Sequence, residues 1–183
     1  MTKPTSTKEN LLNAARELFW TRGYSNVSVR DITKEAGVDA ALVSRYFGGK
    51  RGLFDATLAE IPPWTALTAE SDEVLRAATD SFAQPYDPKT DQANPFTMLL
   101  ANIIDPEVGD DIRAMVQNGM ATPLADKLDG ELQAERAALL LAVLFGAAMM
   151  RKNFQLKGIA EKTPDEIAAQ IMHLGQAALR FKG

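Results

Sequence analysis

Apolar residues recur at intervals of three and four along most of this chain, whereas the strict alternation typical of β-strands is almost absent. That interval places the apolar residues on one face of a helix. Capping residues at helix starts, with glycine and proline at helix ends, divide the pattern into segments. The sequence therefore predicts an all-α protein of about nine helices.

Four helices are predicted in the N-terminal part of the chain. Ser6 with Glu9, and Ser28 with Asp31, have the spacing of capping boxes, in which each pair satisfies two free backbone donors at a helix start. Glycines follow the first three segments in the position where helices commonly end. The predicted helices are 6–22, 29–36, 40–47 after Asp39, and 50–61 before the Pro62-Pro63 pair.

Five further helices are predicted behind them. Asn94-Pro95 and Asp105-Pro106 each combine a capping residue with a proline in the first helical position, and Thr163 to Glu166 adds a capping box to that arrangement. We expect one domain over residues 1–55 and a second over 56–183. The predicted helices are 71–83, one starting at 95, one from 106 to about 128 with a kink at Pro123, 131–156, and 164–181.

Composition excludes several classes of protein. The chain has 183 residues and no cysteine, so disulfide scaffolds, thiolate metal sites and cysteine nucleophiles are ruled out. Residues 1–10 are polar, unlike a signal peptide. The longest uncharged apolar run, 137–150, is too short to span a bilayer. These features predict a cytoplasmic protein without a membrane partner.

Charge is distributed unevenly. Residues 1–55 contain nine basic and six acidic side chains, a net charge of +3, whereas the whole chain has a net charge of −4. A basic N-terminal segment on an acidic body is expected when only one end of a protein meets phosphate groups. This asymmetry favours a nucleic-acid partner for the N-terminal segment.

Residues 28–47 have the spacing of a helix-turn-helix: a short helix, a turn containing Gly37, and a second short helix. A helix of that kind fits the major groove of DNA, where its N-terminal residues face the base edges. The first helix of the pair crosses the backbone, where Ser28 and nearby amide groups can meet phosphate.

This segment resembles the N-terminal domain of TetR-type repressors. Matching residues at fixed spacing cover about a quarter of the chain, and the rest resembles that family in helix number and in a long apolar penultimate helix. The matching residues are Leu18-Phe19, Arg22-Gly23-Tyr24, Val27 to Ile32, Ala36-Gly37-Val38, Tyr46 to Lys50, and Leu53-Phe54.

The resemblance implies DNA-binding roles by position. It places phosphate contacts at Ser28, Tyr46 and Lys50, and base contacts at Arg30, Ala40, Ala41, Leu42, Ser44 and Arg45. At Ser44 and Arg45 this chain departs from the pair common in the family, so base preference does not transfer. Arginine contacts guanine with two hydrogen bonds, which makes Arg45 the main candidate for a direct base contact.

A self-association surface is predicted from the last two helices. The helix 131–156 is apolar on all sides between 137 and 150, and such a helix must be buried all round. Two helices from each of two chains would form a four-helix interface about a two-fold axis. The candidate interface residues are Leu140, Leu144, Ala147, Ile167, Ile171, Leu174 and Ala178.

A small-molecule pocket is a further hypothesis, since methionine-rich walls suit adaptable pockets, although the same residues also suit an ordinary core. The resemblance implies an effector of unknown identity that releases the protein from DNA. The candidate pocket residues are Phe82, Phe96, Met98, Asn102, Met115, Asn118, Phe145 and Met149.

No constellation of catalytic or metal-ligating residues is found in the sequence, so neither an enzyme nor a cofactor is predicted. Two functions remain open. The first is a homodimeric, nucleoid-associated regulator, a repressor if it follows the usual family pattern, which binds a palindromic double-stranded operator. The second is a helical adaptor that uses the same bundle to bind protein.

Overall fold

The computed structural model describes residues 6–61, 76, 79, 80, 83 and 93–182, and every regular element among them is helical, as predicted. The predicted helix 71–83 lies largely outside the described residues. The helices are α1 Thr7–Arg22, α2 Val29–Ala36, α3 Ala41–Phe47, α4 Lys50–Leu58, α5 Pro95–Asn102, α6 Gly109–Val116, α7 Thr122–Ala125, α8 Gln133–Ala148, α9 Lys157–Ala160 and α10 Pro164–Leu179. The π-helical turns Gln117–Ala121 and Met149–Asn153 follow α6 and α8.

The predicted capping motifs are present. Ser6 with Glu9, Ser28 with Asp31, and Thr163 with Glu166 form complete capping boxes at the starts of α1, α2 and α10. Asp39 accepts a hydrogen bond from the backbone N–H of Ala41, so α3 begins one residue later than expected. These helix starts were predictable, because each uses a local side-chain acceptor for an otherwise free donor. The helix predicted to begin at Pro106 starts instead at Gly109, so that prediction was wrong by three residues.

The chain forms two compact units, which are described separately. The first unit contains residues 1–62 and 87–113, and its core lies between α1, α2, α4 and α5. An aromatic cluster stands at its centre, where the ring centroids of Phe19, Tyr24 and Phe54 lie 5.1–5.5 Å apart. Ile32 and Val43 are buried beside it and anchor α2 and α3.

Helix α5 packs closely against α1 in this unit. A Cβ atom placed on Gly23, which has φ +84°, would lie 2.7 Å from the carbonyl oxygen of Ala101. Glycine is therefore required at this position both for its backbone angle and for the close approach of the two helices.

The second unit contains residues 63–86 and 114–183, and its core is built mainly on α8 packed against α10. Leu140 and Leu144 of α8 meet Ile167 and Ile171 of α10 there. The helix Gln133–Asn153 is long and apolar enough to cross a membrane by length and composition alone. Because its buried face contributes to this core, we interpret it as a core helix.

Pro123 follows the first π-helical turn rather than causing a simple kink. The amide of Thr122 donates to the carbonyl of Gln117, five residues back. A proline inside a helix cannot donate and collides with the carbonyl four residues before it, and a widened turn accommodates both effects. The predicted irregularity is present, and its form is a π-helical turn.

Candidate nucleic-acid interface

Helices α2 and α3 form the helix-turn-helix. Gly37 ends α2 in the left-handed conformation, with φ +67° and ψ +36°, which turns the chain toward α3. Ile32 of α2 and Val43 of α3 are 0% and 1% exposed, so one face of each helix is fixed in the core. The opposite faces are available for contact with DNA.

The predicted DNA-contacting residues lie on α2 and α3, at their starts, and at the start of α4. Leu42 and Lys50 are half-buried, and the others are exposed. The exposed set is Ser28, Arg30, Ala40, Ala41, Ser44, Arg45 and Tyr46. No observation in this structure tests their contacts with DNA, so those roles stay predictions.

Positive charge on this surface is left unneutralised. Among the described residues, Arg30, Arg45 and Lys50 have no carboxylate within ion-pair distance. The neighbouring Arg51 differs, because its Nε lies 2.9 Å from Asp55 and its Nη2 lies 2.7 Å from Asp111. The two adjacent cations at the start of α4 therefore have separate roles: Lys50 is available to an anion, and Arg51 joins α4 to α6.

Ser28 is held by its capping partner. Its Oγ donates to Asp31 Oδ2 at 2.6 Å and accepts from the Asp31 amide at 3.2 Å. The side-chain hydrogen bond from Ser28, followed by the one from its backbone N–H, lowers the pKa of the Asp31 carboxyl group. To donate to a phosphate, this hydroxyl would have to give up its hydrogen bond to the Asp31 carboxylate. The sequence alone did not indicate this competition.

Asn102 was predicted to line a ligand pocket, but the structure gives it another role. It is fully buried in the first unit, where its Oδ1 accepts from the Tyr24 amide at 2.8 Å. Its Nδ2 donates to the carbonyls of Phe19 and Met98 at 3.1 and 2.9 Å. The amide of Asn102 is thus used to hold α5 on the end of α1.

Asp105 reinforces this attachment. Its Oδ2 accepts from the amide of Ser25 at 2.8 Å, and its Oδ1 accepts from the amide of Glu107 at 2.9 Å. Burial acts to raise the pKa of the Asp105 carboxyl, but these backbone donors outweigh burial and lower it overall. Asn102 and Asp105 therefore both hold the loop that leads into α2, although they lie far from it in the sequence. No local sequence motif indicates these contacts.

The remaining pocket candidates do not form one described cavity. Met98 is fully buried in the core of the first unit. Phe96, Met115, Phe145 and Met149 are half-buried, Asn118 is exposed, and Phe82 lies outside the described residues. A groove of about 670 Å³ in the second unit has a different lining, formed by Gly130 to Leu132, Arg136 and Leu179 to Lys182.

The candidate interface residues are mostly inside the chain's own core. Leu140 and Leu144 are fully buried, Ile167 and Ile171 are 2% exposed, and Ala178 is also buried. Such side chains have almost no surface left for a partner, because α8 and α10 bury them against each other. Ala147 is half-buried, and Leu174 is 54% exposed. Of the predicted set, Leu174 therefore has the largest free surface.

Two family descriptions match the sequence. Residues 11–57 match the bacterial regulatory proteins of the tetR family, and residues 67–179 match the tetracyclin repressor-like C-terminal domain. The second match alone covers more than half of the chain, and together the two include both structural units.

Relatives in sequence are similar over part of the chain. The chain is 39% identical over 66 residues to the HTH-type transcriptional regulator YttP of Bacillus subtilis, covering 36% of this chain and 32% of that protein. It is 38% identical over 58 residues to the HTH-type transcriptional regulator BetI of Vibrio campbellii, covering 32% of this chain and 29% of BetI. The matches thus span about a third of the length of these curated relatives.

Solved structures are similar over the whole chain. A TetR-family regulator of Streptomyces coelicolor, SCO0857, has a TM-score of 0.63 at 27% identity, with 99% of each chain covered. A cysteine mutant of the regulator CifR, complexed with 26-bp operator DNA, has a TM-score of 0.68 at 18% identity over all of both chains and shows the shared fold. With both family descriptions matched, the chain belongs to the TetR family of bacterial regulatory proteins.

Proposed function

We propose that this protein is a homodimeric repressor that binds a palindromic operator through α3 and leaves it when a small molecule binds. The observation that supports this most directly is the accessible surface formed by α2, α3 and the start of α4, where Arg30, Arg45 and Lys50 have no acidic partner among the described residues. Cations left free on a helix-turn-helix are suited to phosphates and base edges.

Dimerisation is supported by the apolar surface that remains on α8 and α10. Leu139 is 40% exposed and Leu174 is 54% exposed, although both belong to helices that carry the core of the second unit. Ala142 and Ala177 are exposed on the same two helices. Helix pairs with a second apolar face commonly associate across a two-fold axis as a four-helix bundle.

The two-fold arrangement determines what kind of operator the dimer can recognise. Two α3 helices related by a two-fold axis require two inverted half-sites, with centres about 34–36 Å apart or a multiple of that distance. A ligand that changes the distance between the two α3 helices would reduce specific affinity. By linkage, the operator would weaken ligand binding by the same factor.

Selection of bound duplexes from a random DNA pool, followed by affinity measurement at several salt concentrations, tests this proposal. We expect an enriched inverted repeat and a steep fall in affinity with salt, as counter-ions are released from phosphates. Enrichment of a direct or single site would contradict the dimeric arrangement. No salt-dependent DNA binding at all would favour the helical adaptor instead.

A further inference from the structure

Arg151 is a buried cation that has no counter-ion among the residues the structure describes. It lies in the π-helical turn Met149–Asn153 and is 4% exposed. Its Nη1 donates to the carbonyl of Ile159 at 2.7 Å, and its Nη2 donates to the carbonyl of Lys162 at 2.9 Å. Its Nε is buried without a hydrogen-bond partner.

This arrangement leaves the guanidinium group incompletely satisfied. A guanidinium group has five N–H donors and carries a positive charge. Two carbonyl dipoles accept two of those donors but contribute no negative charge. Buried charges are almost always paired, and no described residue supplies an acidic acceptor at this position.

Large apolar residues precede Arg151 along α8 and the π-helical turn, which is suited to a ligand with an apolar part. The turns that precede it contain Phe145, Met149 and Met150, all half-buried. π-Helical turns occur frequently at functional sites. Among the described residues, the other buried side-chain polar atom without a partner is Thr79 Oγ1, which belongs to the same unit.

We propose that Arg151 receives the carboxylate group of an amphipathic small molecule, whose apolar part packs against the apolar side chains of α8. This rests on the ligand-responsive function proposed above and names the chemical class of that ligand. A carboxylate can accept two parallel N–H bonds from the Nε and Nη edge of a guanidinium group. Because Nε is buried in the unliganded chain, binding selects a conformation in which the packing around it opens.

Titration of the full-length protein by NMR tests this directly. The probes are hexanoate and phenylacetate, and hexanamide and phenylacetamide are their neutral counterparts. The Arg151 Nε–H signal is identified by its absence in Arg151→Met, or in Arg151→Lys if the methionine variant does not fold. We expect both carboxylates to shift this signal and the amides to leave it unchanged.

Arg136→Lys is the matched control. Arg136 belongs to the same unit, but its guanidinium already donates to the carbonyls of Leu179 and Asp129, both at 2.6 Å. We expect this variant to keep the carboxylate response. We expect Arg151→Met to lose carboxylate binding, which is followed by its backbone amide signals because this variant lacks the Nε–H. It should keep or raise the Tm of the unliganded protein, because a methionine of similar length removes an unpaired buried charge.

Three results would overturn the proposal: an unchanged Nε–H signal at millimolar carboxylate, equal responses to the acids and the amides, or equal carboxylate affinity in wild type and Arg151→Met. A markedly lower Tm of unliganded Arg151→Met would instead assign Arg151 a purely structural role. Operator binding by the unliganded wild type is measured in parallel. If it persists while carboxylates fail, the proposed DNA-binding function stands and only the ligand class is wrong.

Discussion

The Nζ of Lys50 lies 4.0 Å from the ring centroid of Tyr24, a cation–π contact. Tyr24 is 4% exposed and its ring packs against Phe19 and Phe54, so the surface under the ammonium group is fixed. The lysine is thus oriented by an aromatic ring and not by a carboxylate. Its charge stays available to an anion while its position is restricted.

Lys50→Ala should weaken binding to every duplex by a similar factor, because a phosphate contact carries no sequence information. The slope of log affinity against log salt concentration should become shallower by about one unit. Affinity for operator and random duplexes at four or more salt concentrations measures both effects. Lys157→Ala in the second unit is the control and should leave the slope unchanged.

Arg45→Ala should behave differently from Lys50→Ala. Arg45 is exposed on α3, and loss of a bidentate contact to guanine should cost about 1–3 kcal/mol at one base position in each half-site. Selection from a random pool with the variant should show relaxed preference there and retained preference elsewhere. If both variants lose affinity equally across all sequences, Arg45 contacts phosphate and not a base.

Leu174→Asp should convert a dimer into monomers that remain folded. Leu174 is 54% exposed within the chain, so the aspartate is tolerated by the fold and disfavoured only in an interface. Light scattering measures the mass, and circular dichroism measures the helix content. Ile104→Asp, at an 86% exposed position in the other unit, should keep the wild-type mass. A wild-type monomer at micromolar concentration would refute dimerisation.

Asp31→Asn should reduce stability at neutral pH more than at acid pH. The capping box lowers the folded-state pKa of Asp31 below the ordinary value of 3.8. Its stabilisation is therefore present above the unfolded-state pKa and disappears as the pH falls through the lower folded-state pKa. Urea unfolding at pH 7 and pH 3 measures the change. Glu35→Gln on the same helix, exposed and outside the capping box, should show no comparable dependence.

Asn102→Leu should destabilise the first unit, because it leaves the buried Tyr24 amide without its acceptor. Each buried group that loses its hydrogen bond costs about 1–3 kcal/mol. Chemical denaturation of the unliganded protein measures the loss. Asn118→Leu, at an exposed position, is the matched control. Unchanged stability of Asn102→Leu would return Asn102 to the list of ligand-contact candidates.

Local signals in the sequence were sufficient for most helix starts and for the buried faces of α2 and α3. Ser28, Thr163 and Asn94 satisfy donors within three residues, so their roles follow from short-range spacing. Ile32 and Val43 are buried at the positions that helical periodicity assigns to the core. Such features depend on neighbours along the chain, which the sequence displays directly.

Roles that depend on distant partners were not predictable in the same way. Asn102 and Asp105 bond to backbone groups about 80 residues earlier, and an asparagine between apolar residues looks the same whether it faces a ligand or a carbonyl. The apolar stripe of α8 likewise does not reveal which side meets α10 of the same chain. Leu144 is buried inside one chain, whereas Leu139 keeps surface for a partner.

The attachment of α5 to α1 has a consequence for building chimeric regulators. The unit that presents α3 is assembled from two separated stretches of chain, and Asn102 and Asp105 hold the loop between α1 and α2. A fusion that takes only residues 1–62 would expose the apolar side of α1. It would also leave the Tyr24 and Ser25 amides without their hydrogen-bond acceptors. A donor segment that also includes residues 93–113 keeps Asn102 and Asp105, which hold this loop. Such a segment should therefore transfer the DNA specificity of α3 to the fusion.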